Sequence, residues 1–418
     1  MDINMLLKGV DCACGKHHTC DIGSVFVEKG AVKRLSALCE DFSSALIVAD
    51  ENTYGVAGKS VEEYALVVKS VIFSGKTVVI PNEEAIEKVT CALDGIDLII
   101  AIGSGVMQDL CKYVSWRSGI PYYVVATAPS MDGYASSGAA MITDGMKVTY
   151  SAKVPEAIIA DTEFIRTAPL EMIKAGYGDI IGKYSALSDW ELGRIVNGEY
   201  FCPEIYKLTM DMVEKVLPLA EKLLERDEES VKVLMEALII VGIAMSFADN
   251  SRPASGSEHH LSHYFEITGI VDGTKYLPHG IDVVFSTWVT SIIREELVKR
   301  AFPDNLFVEK NRCDEIKRVY KSVADGCIAL QEKLGTYKAN RIPTYVEHEK
   351  EIKEALAKVP TSHEIKAILD RIGLDLEDFF KTYSKEKICD AVRYAKDLKD
   401  RYTVLWMWYD MFGLEEVL

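Results

Sequence analysis

Residues Leu98–Asp109 read LIIAIGSGVMQD, the pattern of a strand, a turn and a helix start in succession. An isoleucine-rich apolar run reads as a strand, Gly103-Ser104-Gly105 as a tight turn, and the following residues as the start of a helix that continues through Cys111 and Lys112. Glycines at such a turn let the backbone approach an anion closely, and the helix start offers unpaired N–H groups and the positive end of its dipole. A glycine pair alone is weak, since strand-to-helix turns need glycine anyway and the third glycine of the dinucleotide fingerprint is missing. Ser104 fits such a turn only with a negative φ.

The runs Ala45–Ala49 (ALIVA), Lys76–Ile80 (KTVVI) and Tyr122–Ala126 (YYVVA) read as further strands. Val61–Phe73 and Glu83–Leu93 show helix-like spacing between them. Strand–helix alternation predicts a parallel sheet with helices on both faces, a Rossmann-like nucleotide-binding domain over residues 1–165. Past Pro169 helical patterns take over: Cys202–Arg226, Ser230–Ala248, Val283–Phe302, Asp314–Leu334 and His363–Thr382. An all-helical C-terminal domain over residues 166–418 is expected, with the site in the cleft between the two domains.

Composition narrows the function. The 418 residues are 49% hydrophobic and 27% charged, which excludes wholesale disorder. Acidic residues outnumber basic ones, 64 to 47, for a net charge of −17 and no basic patch, against a nucleic-acid or anionic-membrane surface. Ala237–Ala248 is too short an apolar stretch to span a bilayer and reads as a core helix. The start, MDINMLLKGVD, does not read as a secretory signal, and ten scattered cysteines suit reduced thiols, so a cytoplasmic location is expected. Cys12, Cys14 and Cys20 surround His17 and His18, but without a second Cys-x-x-Cys half the segment reads as a surface turn.

Two further groups carry chemistry. Thr127-Ala128-Pro129-Ser130 follows YYVVA as a second small turn at a strand end, and Asp50 closes ALIVA, either to accept from a ribose hydroxyl or as a solvated turn residue. Four of the eight histidines, His259, His260, His263 and His279, lie in one short stretch. His259 and His263 are four apart, on one helical face, so His260 is expected to point toward solvent or a second shell. Imidazoles with a carboxylate, of which Asp179 in GYGD is the candidate, bind a divalent ion and leave a position open for substrate.

Taken in order, Gly103–Asp109, Thr127–Ser130 with Asp132, GYGDIIGKYSALSDW from Gly176, SRPASGSEHHLSH from Ser251 and LPHG from Leu277 form an ordered motif set. The chain resembles the sn-glycerol-1-phosphate dehydrogenases, the bacterial AraM-like proteins included, within the superfamily of glycerol dehydrogenase, iron-type alcohol dehydrogenases and dehydroquinate synthase. The resemblance implies metal ligands Asp179, His259 and His279, with His263 and Asp132 facing substrate. It implies a cofactor site of Gly105, Val106, Met107, Gln108, Asp109, Thr127, Ala128, Pro129, Ser130 and Ser136. The cofactors would be NAD or NADP and one zinc, nickel or iron ion, and a homodimer is expected.

The implied reaction is reversible NAD(P)H-dependent reduction of dihydroxyacetone phosphate to sn-glycerol 1-phosphate, a step of phospholipid biosynthesis. His263 would relay the proton. Lys183, one helical turn after Asp179, is expected to meet the substrate phosphate, with Arg252 a second candidate. The alternatives are a glycerol dehydrogenase-like polyol oxidoreductase and a dehydroquinate synthase-like lyase; the latter would carry glutamate where Asp179 stands. A binding module without catalysis sits poorly with the complete Asp-His-His set.

Overall fold

The computed structural model describes residues 3–143 and 146–418. Six parallel strands organise the first part of the chain: β1 (Ser24–Glu28), β2 (Ala45–Asp50), β3 (Val67–Phe73), β4 (Leu98–Gly103), β5 (Tyr122–Ala126) and β6 (Ala157–Asp161). Their order across the sheet is β1-β6-β5-β4-β2-β3. Strand β2 leads outward to β3, whereas β4 leads the other way to β5, so the order reverses between β2 and β4. In open parallel sheets the crevice at such a reversal is where ligands bind. Asp50 ends one of these strands and Gly103 the other.

Burial follows sheet position. Strands β4, β5 and β6 are buried along their whole length, as is β2 up to Asp50, because helices cover both faces. Edge strand β1 buries only alternate residues, and β3 only Val71 fully. This explains one departure from expectation. Lys76–Ile80 is not a strand; Val78 and Ile80 are exposed there, and the strand is Val67–Phe73. Lys69 and Ser70 interrupt its apolar run, which an edge strand tolerates. The helix-like spacing over 61–73 joined the end of one element to the next, since the helix α1 (Glu51–Tyr64) stops before it.

Helices α2 (Glu83–Thr90) and α3 (Gly105–Ser118) complete the alternation. After Asp161 no strand occurs among the described residues. The longest helices are α4 (Leu170–Asn197), α5 (Glu228–Ala248), α6 (Ser257–Asp272) and α7 (His279–Lys299). Several expected long helices are broken. Pro218 interrupts Cys202–Arg226 within a 3-10 turn, and Gly373, at φ 67°, separates Ser362–Arg371 from Leu376–Thr382.

The chain forms two compact units. The first comprises Met1–Tyr177 and Glu214–Asn250, the second Gly178–Val213 and Ser251–Leu418. Helix α5, in the first unit, is long and apolar enough by length and composition to cross a membrane, yet 78% of its apolar window is buried in the protein. It is a core helix. A Cβ on Gly242 of α5 would lie 2.8 Å from Asp132 O, so only glycine lets α5 approach the Asp132 turn this closely.

Candidate active site

In the first unit the β4–α3 turn has the shape its sequence suggests. Ser104 caps α3 with φ −117°, the negative value that a side chain requires. Gly103 and Gly105 are needed for space. A Cβ on Gly103 would stand 2.8 Å from Met107 Cβ, and one on Gly105 3.1 Å from Met131 Cε. The first turn of α3 carries no acidic residue, so its N–H groups and dipole suit a pyrophosphate. Thr127 N donates to Gly103 O at 3.1 Å, which sets the second turn, Thr127–Ser130, beside the first.

Other side chains of this region serve the local scaffold. Gln108 Nε2 donates to Gly133 O at 2.6 Å, and the buried Lys112 ammonium donates to Gly133 O (3.1 Å), Gly138 O (2.7 Å) and Asp109 Oδ1 (3.2 Å). These bonds hold the loop that presents Asp132, a half-buried residue opening a 3-10 turn, and Ser136, whose Oγ donates to Gly133 O at 3.2 Å. Met107 is buried, and Val106 and Ser130 are half-buried. Ala128 O accepts from Tyr134 Oη at 2.7 Å, and Gly176 packs against Pro129 O with no room for a Cβ. Asp50 Oδ1 accepts from Asn52 N (2.8 Å) and Thr53 N (3.0 Å) as the N-cap of α1.

In the second unit three helices converge. Asp179 lies on α4, His259 on α6, and His279 opens α7; one donor atom from each lies within 4.8 Å of the other two. Small residues make this possible. A Cβ on Gly178 would collide with Gly280 O and stand 2.9 Å from Val284 Cγ1, so α4 and α7 meet backbone to backbone beside Asp179 and His279. A Cβ on Gly256 would lie 2.8 Å from Ala186 Cα, so the start of α6 rests directly on α4. Asp189 anchors that start by accepting from Ser257 N at 2.6 Å.

Each donor is held from behind. Glu258 Oε1 accepts from His259 Nδ1 at 2.7 Å, which directs the lone pair of Nε2 toward Asp179 Oδ1, 3.6 Å away. Burial first, then the Lys183 ammonium and the His279 ring, holds His259 well below the usual histidine range, so the ring is neutral as a ligand must be. Ser262 Oγ is 3.3 Å from His279 Nδ1. The half-buried His263 ring lies 5.6 Å from that of His279 and 6.1 Å from that of His259, beside the donors. An Asp-His-His set of this kind fits a divalent ion with an open coordination position.

Three expectations change. Of the two places expected for His260, solvent is excluded and a buried second shell is left: it is fully buried, both ring nitrogens lack a hydrogen-bond partner, and burial followed by Lys399 and Arg401 pushes it well below the usual range. Lys183 shares the Asp179 face as its spacing predicts, but it is wholly buried and donates to Asp179 Oδ1 (2.7 Å) and Ala254 O (3.1 Å). Arg252 is buried against Tyr402 O and Glu199. Two cations unread in the sequence stand nearer solvent. Half-buried Lys399 places Nζ 3.4 Å from Ser255 Oγ, and Arg401 donates to Ser255 O (2.7 Å) and Ser251 Oγ (2.8 Å). Both act electrostatically on His259. They lie over 100 residues along the chain from His279, so no local spacing reveals them.

This architecture, a parallel nucleotide-type sheet followed by helices carrying an Asp-His-His set, defines a class. Residues 26–169 match the family model described as iron-containing alcohol dehydrogenase. A solved structure of a probable glycerol dehydrogenase from Sinorhizobium meliloti shares the fold, with a TM-score of 0.61 over 94% of this chain and 96% of that one at 16% identity. The chain is 32% identical to a glycerol-1-phosphate dehydrogenase (NAD(P)+) of Geobacillus thermodenitrificans over 88% of both chains. It is 29% identical to one of Halalkalibacterium halodurans over 97% of this chain and 98% of that protein. The chain belongs to the glycerol-1-phosphate dehydrogenase family.

Proposed function

We infer that this protein is an NAD(P)-dependent, metal-dependent oxidoreductase that interconverts dihydroxyacetone phosphate and sn-glycerol 1-phosphate. The observation that carries this reading is the convergence of Asp179, His259 and His279 in a chain whose near-full-length relatives bear that enzyme name. Asp179, His259 and His279 would hold the divalent ion, and the α/β part up to about residue 165 the nucleotide, at Gly105–Asp109, Thr127–Ser130 and Ser136, with Asp50 at the end of β2.

When bound, the ion acts as a Lewis acid toward the C2 ketone and the nicotinamide supplies the hydride. The chain's own residues do the rest. Glu258 and Lys183 fix the orientation of His259 and Asp179 before substrate arrives, so no reorganisation is required as charge develops. His263, beside the donors and not needed as one, delivers a proton from an imidazole nitrogen to the C2 oxygen. Asp132 is assigned to the substrate. Lys183, closed off by Asp179 and Ala254, is a positioning residue; Lys399 and Arg401 take the phosphate. With a net charge of −17, such local cations must provide phosphate selectivity. The reading includes a cytoplasmic homodimer, and ten cysteines scattered along a long chain without a framework pattern suit a reducing compartment.

The test compares kcat/KM for dihydroxyacetone phosphate and dihydroxyacetone in the natural protein and in Lys399→Met. Loss of one charge-assisted contact of ~1.5–3 kcal/mol lowers efficiency on the phosphate roughly tenfold to a hundredfold and leaves the plain ketone nearly unaffected. Equal efficiency on both ketones in the natural protein moves the reading to a polyol dehydrogenase.

A further inference from the structure

The Cys12–His18 segment is more than a surface turn. Val10–Asp11 pairs antiparallel with His17–His18, and the intervening turn is closed by Cys12 N to Lys16 O (3.1 Å) and Gly15 N to Cys12 O (3.0 Å). Gly15 takes φ +86°, a value that glycine adopts without strain. The turn folds the two thiols back on the second strand. Cys14 Sγ lies 3.4 Å from His18 Nε2, and Cys14 N donates to Cys12 Sγ at 3.4 Å. The thiolate is the form of cysteine that ligates metal.

His18 is oriented for the same purpose. It is 3% exposed, its ring stacks on Phe247 with centroids 5.5 Å apart, and its Nδ1 lies 2.9 Å from Phe247 O. A carbonyl only accepts, so Nδ1 carries the proton and the Nε2 lone pair faces Cys14. A backbone carbonyl fixing the tautomer of a ligating imidazole is a recurrent second-shell arrangement. Neighbouring His17 points away, to exposed Asp11 at 2.7 Å. The donor atoms of Cys12, Cys14 and His18 all lie within 4.8 Å of one another, and Cys20 is not among them.

We propose that Cys12, Cys14 and His18 bind a second metal ion, zinc by donor preference, that fastens the amino-terminal hairpin to α5 through His18 and Phe247. Two thiolates and one imidazole are soft to borderline donors and select zinc, whereas the Asp179 set contains no sulfur. Ligation releases the thiol protons and involves no redox step.

Metal analysis and cobalt substitution of the full-length protein test the proposal. The natural protein should carry two metal ions per chain. The Cys12→Ser/Cys14→Ser variant should lose one equivalent and keep NADH-dependent turnover. The cobalt-loaded natural protein should show a thiolate-to-cobalt charge-transfer band that His279→Ala retains and Cys14→Ser loses. Absence of that band in the natural protein overturns the proposal, as does an unchanged metal content in the double variant. The natural-protein spectrum decides even if the variants fail to fold. If His279→Ala keeps both ions while the sulfur band depends on Cys14, the reading of the Asp179 set fails and this one stands.

Discussion

Gly256→Ala tests whether the close contact of α6 with α4 sets the metal geometry. A Cβ at position 256 would lie 2.6 Å from Asp189 Oδ2, 2.8 Å from Ala186 Cα and 2.9 Å from Glu258 Oε2, where ordinary contact begins at 3.4 Å. The Ala186 Cα is backbone of α4 and cannot rotate away. Relief therefore requires a movement of roughly 0.5–1 Å by the start of α6, which carries His259 three residues further on. The same movement strains the Ser257 N to Asp189 bond (2.6 Å) and the Gly256 N to Glu258 bond (2.7 Å). Overpacking of this size costs about 1–3 kcal/mol of stability. A displacement approaching 1 Å at a reacting centre costs on the order of a hundredfold in rate. Urea unfolding, metal occupancy against a chelator, and kcat/KM for dihydroxyacetone phosphate provide the measurements. Gly55→Ala is the control, because a Cβ there meets nothing within 4 Å and should stabilise the helix α1 by about 0.5–1 kcal/mol. If Gly256→Ala matches the natural protein within twofold in metal affinity and turnover, helix approach does not set the site and the reasoning fails.

Glu258→Gln should weaken metal binding by about 10–100-fold while the fold persists, because the charge behind His259 Nδ1 is lost; equal affinity in a competition titration would exclude this role. Asp282 accepts from Tyr383 Oη at 2.9 Å, and burial raises its carboxyl well above the usual range despite that bond. A carboxyl whose folded pKa is raised binds its proton more tightly in the folded state, so its stabilising contribution is present below the unfolded value of about 3.9 and is lost as pH rises through the folded value. Asp282→Asn should remove that loss and raise the thermal midpoint near neutral pH relative to acid; parallel midpoint–pH curves for the two proteins would refute it.

Much of the fold is legible locally. Central strands of a parallel sheet are covered on both faces, so ALIVA, LIIAI and YYVVA are continuous apolar runs that need no partner to be recognised. Edge strand Val67–Phe73 buries less, carries Lys69 and Ser70, and was therefore hidden behind the more apolar Lys76–Ile80. The histidine cluster and the GYGD carboxylate are likewise visible, since i,i+4 spacing fixes which residues share a helical face.

What the sequence alone determined about this protein is the order of its elements and the set of candidate donors, because both follow from period and residue type. Which donors meet was decided only in three dimensions. Nothing in the sequence around Gly178 or Gly256 marks a contact, yet each is the point where one backbone touches another. Lys183 reads as a free cation on the Asp179 face, and the Ala254 carbonyl, 71 residues away, closes that face. Lys399 and Arg401 act on His259 from far along the chain. Close packing, desolvation and field are properties of neighbours in space, and local spacing carries no record of them.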